Sequence, residues 1–397
     1  MRSFGLIGKV LFALLLSAFL CLCSVAQAGQ TSAAGASQSG KPAEVPPQSA
    51  KPGASTATGT EKRGYSAVDE DAPDGDSTDK GSTAKDEKER QEVEDFETLA
   101  IPKGMLVLDP APPMKVSFPK YTRELVQLIW RPHDVINLYV IKPVGVVNPP
   151  VIMYLYSFPT DTARFKLDEF DQTVTANGFA AVGFESALTG ERFHDRPMKE
   201  WFVSELQESL GSSVHDVQLI LNYLEKRGDL DMTRVGMFGD GSGASIAVLS
   251  AATDPRIKAV DLFDAWGDWP DWIAHSSLIL DADERLEYMK PEFMKKVENL
   301  DPVKYLPQLN KQKVRMQYLK TDHVTPDSAK DKMRAAAPPN ATIVQYNGQD
   351  EFVLKMITSK KIFDWIQQQV VSPIWATQES EPRNPAQPLA ADKGFNQ

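Results

Sequence analysis

Between residues 101 and 371, short apolar runs alternate with stretches whose apolar residues recur every three or four positions. Residues 126–131 and 135–143 are β-branched runs on either side of Pro132-His133-Asp134, a pattern that predicts an antiparallel hairpin. Residues 151–158 and 179–184 are continuous apolar runs, as expected for strands buried on both faces. Between them, 164–177 reads as a helix. Val214, Val217, Leu221 and Leu224 share one helical face, with Ser213 predicted to cap that helix and Gly228 to end it. A strand at 235–238 leads through a glycine-rich turn into an apolar helix at 244–252. Further strands are predicted at 257–263, 314–319 and 341–346, and an amphipathic helix at 353–369.

An opening antiparallel pair followed by repeated strand–helix units predicts an α/β domain over 99–371, with a mostly parallel central sheet covered by helices on both faces. Residues 266–310 are too long for a simple crossover and include a helical stretch at 282–297. They are expected to form a small helical cap over the strand ends.

The chain outside 99–371 has a different character. Arg2 and Lys9 start a segment that is almost wholly apolar from 10 to 25 and ends in Ala26-Gln27-Ala28, the three parts of a secretory signal. The alternative is a retained anchor, but the apolar run falls short of the ~20 residues that a spanning helix needs. Cleavage after Ala28 is expected, which makes the protein secreted or periplasmic with no membrane span afterwards. Cys21 and Cys23 both lie inside the signal, preceded by Leu20 and Leu22 rather than by the small residue that lipid attachment requires. The mature chain then has no cysteine, which excludes disulfides, thiol catalysis and Cys-ligated metal. Residues 29–98 hold too few large apolar side chains to offset their ordering entropy and are expected to be a disordered polar and acidic linker, its acidic end at 86–97 a solvated charge run. The proline-bearing tail at 372–397 reads the same way.

Composition narrows the function. At 397 residues, 42% hydrophobic and 24% charged, the chain can bury a substantial core. Losing Arg2 and Lys9 with the signal takes the formal charge from −11 to −13, which argues against a broad surface for nucleic acid or anionic lipid. The five histidines have no ligand-like spacing, so no metal is expected, and Gly-Asp-Gly-Ser-Gly at 239–243 lacks the spacing of a dinucleotide fingerprint, so no other cofactor is expected.

The chemical signal lies in Arg234-Val-Gly-Met-Phe-Gly-Asp-Gly-Ser-Gly-Ala-Ser-Ile-Ala-Val, where a buried strand turns directly into an apolar helix. This resembles the nucleophile elbow of the α/β-hydrolase fold, Gly-x-Ser-x-Gly, with Gly239 and Gly243 as the framing glycines. Asp229-Leu-Asp-Met-Thr-Arg before it, Asp254-Pro-Arg-Ile-Lys-Ala-Val-Asp after it, and Thr321-Asp-His-Val-Thr-Pro-Asp-Ser-Ala follow the order of dienelactone-hydrolase-like and prolyl-oligopeptidase-like members. The resemblance covers about 126–369. It implies an α/β-hydrolase fold and an ester- or amide-hydrolase ancestry, with Asp322 in the acid position. Two positions depart from the pattern. Gly241 stands where the nucleophile belongs, and the loop that should carry a histidine reads Tyr346-Asn-Gly-Gln-Asp-Glu-Phe.

Two readings follow. In the first, the triad is lost and the site binds a small ester- or amide-like ligand or a protein partner. Gly241, Ser242 and Gly243 then offer backbone N–H groups to an anion at a helix start. In the second, Ser242 is the nucleophile of an active serine hydrolase, oriented by Asp322 with a recruited His323 or His194 as base. The Ser242 or Gly243 N–H and an amide near Phe158 would then hold the oxyanion. Asp240 as nucleophile would put Phe238 where a small residue is needed, and Asp264 is an alternative acid. His133, His215 and His275 read as surface or capping residues. Trp266, Trp269 and Trp272 either wall a pocket or pack a joint between cap and sheet.

Overall fold

A computed structural model of the protein describes residues 94–101, 109–131, 134–157, 162–187, 192, 202–359 and 363–371. The expected signal segment 1–28, most of the linker, the tail 372–397, His133, His194 and Phe158 lie outside the described residues.

Nine strands form one sheet: β1 (Met114–Ser117), β2 (Tyr121–Arg131), β3 (Asp134–Pro143), β4 (Pro150–Leu155), β5 (Ala180–Phe184), β6 (Asp231–Asp240), β7 (Ile257–Phe263), β8 (Lys313–Leu319) and β9 (Thr342–Tyr346). Their spatial order is β1-β2-β3-β5-β4-β6-β7-β8-β9. The predicted hairpin is present as β2 and β3, with Val126 opposite Leu138. β3 also runs antiparallel to β5, and every pairing from β5 through β4 to β9 is parallel. The exposed edge strand β1 carries no continuous apolar pattern, and the sequence reading did not find it.

The central strands are apolar throughout because both faces are covered. On one face lie α1 (Asp168–Thr175) and α10 (Asp364–Val370), over an aromatic layer that includes Tyr154, Phe170, Phe238 and Phe363. On the other lie α2 (Leu206–Arg227) and α3 (Ser242–Thr253), which join the main aliphatic core with Val151, Met153, Val235 and Met237. Between β7 and β8 come four short helices, α4 (Trp269–His275), α5 (Ala282–Tyr288), α6 (Pro291–Val297) and α7 (Pro302–Tyr305). Helices α8 (Asp327–Ala336) and α9 (Gln349–Ser359) complete the set among the described residues.

Local structure departs from expectation where single residues break or extend a helix. The stretch expected as one helix over 164–177 is a 3-10 turn, Ala163–Lys166, and then α1, divided by Leu167 in an extended conformation. Helix α2 begins seven residues before Ser213, so Ser213 is interior and its Oγ accepts a hydrogen bond from the Ala187 N–H at 3.0 Å. Gly228 ends α2 in the left-handed region, at φ 73°. The 282–297 stretch divides before Pro291, and the C-terminal helix divides into α9 and α10.

The acidic run is also more ordered at its end than its composition implies. Glu94 is held by Arg131 through two hydrogen bonds of 2.6 Å, and the Gln218 amide donates to the Leu99 carbonyl at 2.6 Å. Residues 94–101 therefore lie against α2. Gly211 permits this approach, since a Cβ there would collide with the backbone of Phe96.

Candidate functional site

The site lies at the C-terminal ends of β4, β6, β7 and β8, beside the point where the chain reverses its direction of sheet growth. Successive units build from β4 outward to β5 and then cross to β6 on its other side, which makes this edge the topological switch point of the sheet. The turn after β6 has its apex at Gly241, with φ 56° and ψ −116°, a conformation that side-chain-bearing residues adopt only under strain. Its flanks are as tight as the motif requires. A Cβ on Gly239 would run into the backbone of Ala244, and one on Gly243 into the carbonyl of Leu155. The Gly241 carbonyl then accepts from Ala244 N–H at 3.1 Å, starting α3.

The space that a side chain on Gly241 would enter is already occupied. An ideal Cβ there would overlap the hydroxyl of Ser157 and lie 3.1 Å from Nε1 of Trp266. Ser157 follows β4, and its hydroxyl donates to the Asp240 carbonyl at 2.9 Å. Ser242, one residue past the apex, is the first residue of α3 and is fully buried.

Three carboxyl groups converge on this edge. Asp322, after β8, accepts from the N–H groups of Val324 and Thr325, both at 3.2 Å. Burial raises its pKa, and Lys330, 3.8 Å away, works against that rise. Asp264, at the end of β7, accepts from the Leu319 N–H at 2.9 Å and has a left-handed backbone, φ 42°. Burial and then the charge of Asp322 push its pKa well above the usual carboxylate range. Asp240 is half-buried, and its pKa is pushed up to about 6 by burial, with Arg164 pulling it down and Asp322 adding to the rise. These acids oppose one another's ionisation, because like charges in a partly dry site cannot all be stabilised. Lys330 offsets part of this for Asp322 and Asp264, although its own hydrogen bonds go to the backbone. It is buried and donates to the carbonyls of Leu319 and Asp322, at 3.1 and 2.5 Å.

The loop after β9, where a hydrolase triad would place its histidine, carries Asn347, Gly348 and Gln349. With Thr321, Asp350 and Glu351 these line an open crevice of about 640 Å³. The Gln349 side-chain nitrogen is buried there with no hydrogen-bond partner among the described residues.

The remaining candidates fall in different places. His323 adjoins Asp322 but is solvent-exposed, and its backbone carbonyl receives the Ser277 N–H at 3.1 Å. His275 is an exposed partner of Asp271, at 2.7 Å. His215, expected at a surface or cap, is instead fully buried in mid-helix between Glu94 and the Thr98 carbonyl, both at 2.8 Å. Trp266 flanks the elbow. Trp269 and Trp272 are fully buried, with Trp269 donating to the Leu300 carbonyl at 3.0 Å, so the cap is joined to the sheet by packed indoles. Asp301 supports the same joint by accepting from the N–H groups of Asp268 and Trp269. No group of three or more acidic, histidine or cysteine side chains among the described residues is arranged to hold a metal ion. No helix among them is long and apolar enough to cross a membrane.

Sequence reasoning missed Ser157, Tyr156 and Arg164. Their one signal was position, in or just beyond the loop that follows a doubly buried strand.

The strand order, the antiparallel β3 and the tight turn between β6 and α3 together define an α/β-hydrolase fold. Among solved structures, the chain is similar to acetyl xylan esterase 1 from Thermoanaerobacterium sp. JW/SL YS485 over 64% of this chain and 88% of that one, at 14% identity and a TM-score of 0.49. It is similar to an S-formylglutathione hydrolase from Agrobacterium tumefaciens over 67% and 100% of the two chains, at 13% identity and a TM-score of 0.49. Similarity to the acylaminoacyl peptidase of Pyrococcus horikoshii covers 68% of this chain and 42% of that one, at 14% identity and a TM-score of 0.46. No family model and no curated protein sequence matches the chain.

Proposed function

We propose that this protein is an exported ligand-binding member of the α/β-hydrolase fold, in which the serine-hydrolase machinery has been lost and the elbow pocket retained. The observation that carries this reading is the apex itself: Gly241 has no side chain, and the hydroxyl of Ser157 occupies the space one would need. Acyl transfer needs a nucleophile and a base within hydrogen-bond reach of it. The Ser157 hydroxyl donates to a backbone carbonyl, and Gln349, on the loop that should supply imidazole, has an amide that cannot take up a proton at neutral pH. Ser242 as an alternative nucleophile would have to leave a fully buried position in the first turn of α3. The apolar segment at 10–25 followed by Ala26-Gln27-Ala28 supports export.

A fluorophosphonate probe tests the reading. The wild-type protein is expected to remain unlabelled, and Gly241→Ser to remain inert for want of a base. Labelling of the wild type that disappears in Ser242→Ala would establish a serine hydrolase instead.

A further inference from the structure

Beside the elbow, on the side away from the acid loops, three polar side chains meet at the switch point of the sheet. Tyr156 follows β4, Arg164 lies in the 3-10 turn beyond it, and Asp240 is the last residue of β6. Tyr156 is 5% exposed and Arg164 8%. The guanidinium lies 3.8 Å from the centre of the Tyr156 ring, which covers one of its flat faces. Arg164 is near enough to pull on the Asp240 carboxyl, yet no ion pair within 4.0 Å joins them. Among the described residues, the side chains of Arg164 and Asp240 and the Tyr156 hydroxyl make no hydrogen bond.

A guanidinium with so little exposure normally has carboxylate or carbonyl partners. Arg192, the other arginine this little exposed among the described residues, follows that rule: it forms a two-pronged pair with Asp134, at 2.8 and 2.7 Å, and also reaches Asp216 at 2.8 Å. At Arg164 the ring of Tyr156 covers a face and leaves the N–H edge to be filled. An edge-on guanidinium matches the two oxygens of a carboxylate. Phosphate fits less well, because Arg164 is a single cation close to the Asp240 carboxyl, and a second negative charge would be repelled. Asp240, in turn, is an acceptor without a donor.

We propose that Tyr156, Arg164 and Asp240 form the recognition end of the pocket, and that its ligand is a small monocarboxylate bearing a hydroxyl or N–H donor. The carboxylate lies along the edge of Arg164 and the donor reaches Asp240. This assignment deepens the binding function proposed above and rests on it for the retained pocket.

The test uses the full mature chain and four probes: acetate, L-lactate, 4-hydroxybenzoate and N-acetylglycine. Each is titrated beside its primary amide at constant ionic strength, by tryptophan fluorescence and calorimetry. At least one donor-bearing acid is expected to bind more tightly than acetate and about tenfold or more above its own amide, the margin of a charge-assisted hydrogen bond. Arg164→Gln is expected to abolish that preference. Arg164→Lys, which keeps the charge without the fork, should retain part of it, and thermal unfolding of both variants confirms that they are folded. Equal binding of acids and amides, no binding by any acid, or a preference that survives Arg164→Gln would overturn the proposal. Fluorophosphonate labelling, by contrast, would overturn the lost-triad reading while leaving an Arg164-dependent acid preference intact.

Discussion

Glu94 and His215, 121 positions apart in sequence, meet at 2.8 Å and fasten the end of the acidic leader to the middle of α2. The same carboxylate takes two hydrogen bonds from Arg131, which also reaches Asp216 at 2.6 Å. Asp216 in turn receives Arg192 at 2.8 Å and the Trp130 indole N–H at 3.0 Å. One buried network therefore ties the leader, the β2–β3 hairpin, the segment after β5 and α2 together.

This clasp makes stability depend on acid. Burial alone would raise the Glu94 pKa, but hydrogen bonds from Arg131 and His215 outweigh it and hold the carboxyl down at about 2. A lowered folded-state pKa gives stability that is complete above the unfolded value of 4.5 and is lost as the pH falls toward about 2. The contribution is on the order of 3 kcal/mol. Glu94→Gln is expected to remove most of it at pH 7 and to flatten the acid limb of the stability curve, read by urea unfolding across that range. Hydrogen exchange should show the largest loss of protection at residues 94–101.

Asp240 predicts the opposite sign. Its pKa is raised from 3.8 to about 6, so its ionisation opposes folding. That cost is absent below the unfolded value and grows as the pH rises through the interval between the two. Asp240→Asn is expected to stabilise the protein by about 1–3 kcal/mol at pH 7 and to leave it unchanged near pH 3. Thermal unfolding at the two pH values checks this, and a gain of equal size at both would show that charge is not the cause.

At the elbow, Gly241→Ala is expected to cost about 1–3 kcal/mol, since it places a side chain at positive φ and against the Ser157 hydroxyl. Removing that hydroxyl with Ser157→Gly should recover part of the loss and none of the backbone strain. A double-mutant cycle by chemical denaturation would measure the coupling, and strict additivity would mean that the two residues do not compete for the same space.

The joint between cap and sheet should be sensitive to one indole. Trp269 is fully buried and hydrogen-bonded to the Leu300 carbonyl, so Trp269→Ala is expected to destabilise the fold by about 3–5 kcal/mol. Trp269→Phe should cost less, because it keeps most of the packing and loses the N–H. Equilibrium unfolding separates the two.

Export is checked more directly. Intact mass of the protein recovered outside the cytoplasm is expected to correspond to a chain beginning at Gly29.

Much of this architecture was legible in the linear chain. The uninterrupted apolar runs at β4 and β5, the turn residues before β3, the glycine that ends α2 and the tight turn after β6 are all local signals, set by hydrophobic period and backbone sterics. They were sufficient for a mostly parallel sheet with an elbow of defined position, and for the presence of glycine at 241. Helix limits were less legible where tertiary contacts outweighed propensity. Helix α2 starts early because its first turns are buried under other elements, and 94–101 is ordered because Glu94 finds two basic partners. The chemistry of the site depended on packing between segments far apart in sequence. No period or motif announces that Ser157 fills the space at Gly241 or that Arg164 stacks on Tyr156. Nor does any announce that Asp240, Asp264 and Asp322 share an edge, because each of these contacts is made only when the ends of different strands are brought side by side. Sequence determined the sheet and its turn, since those follow from neighbours along the chain. Tertiary structure decided which polar groups are desolvated together, and that sets their charge and what they can bind.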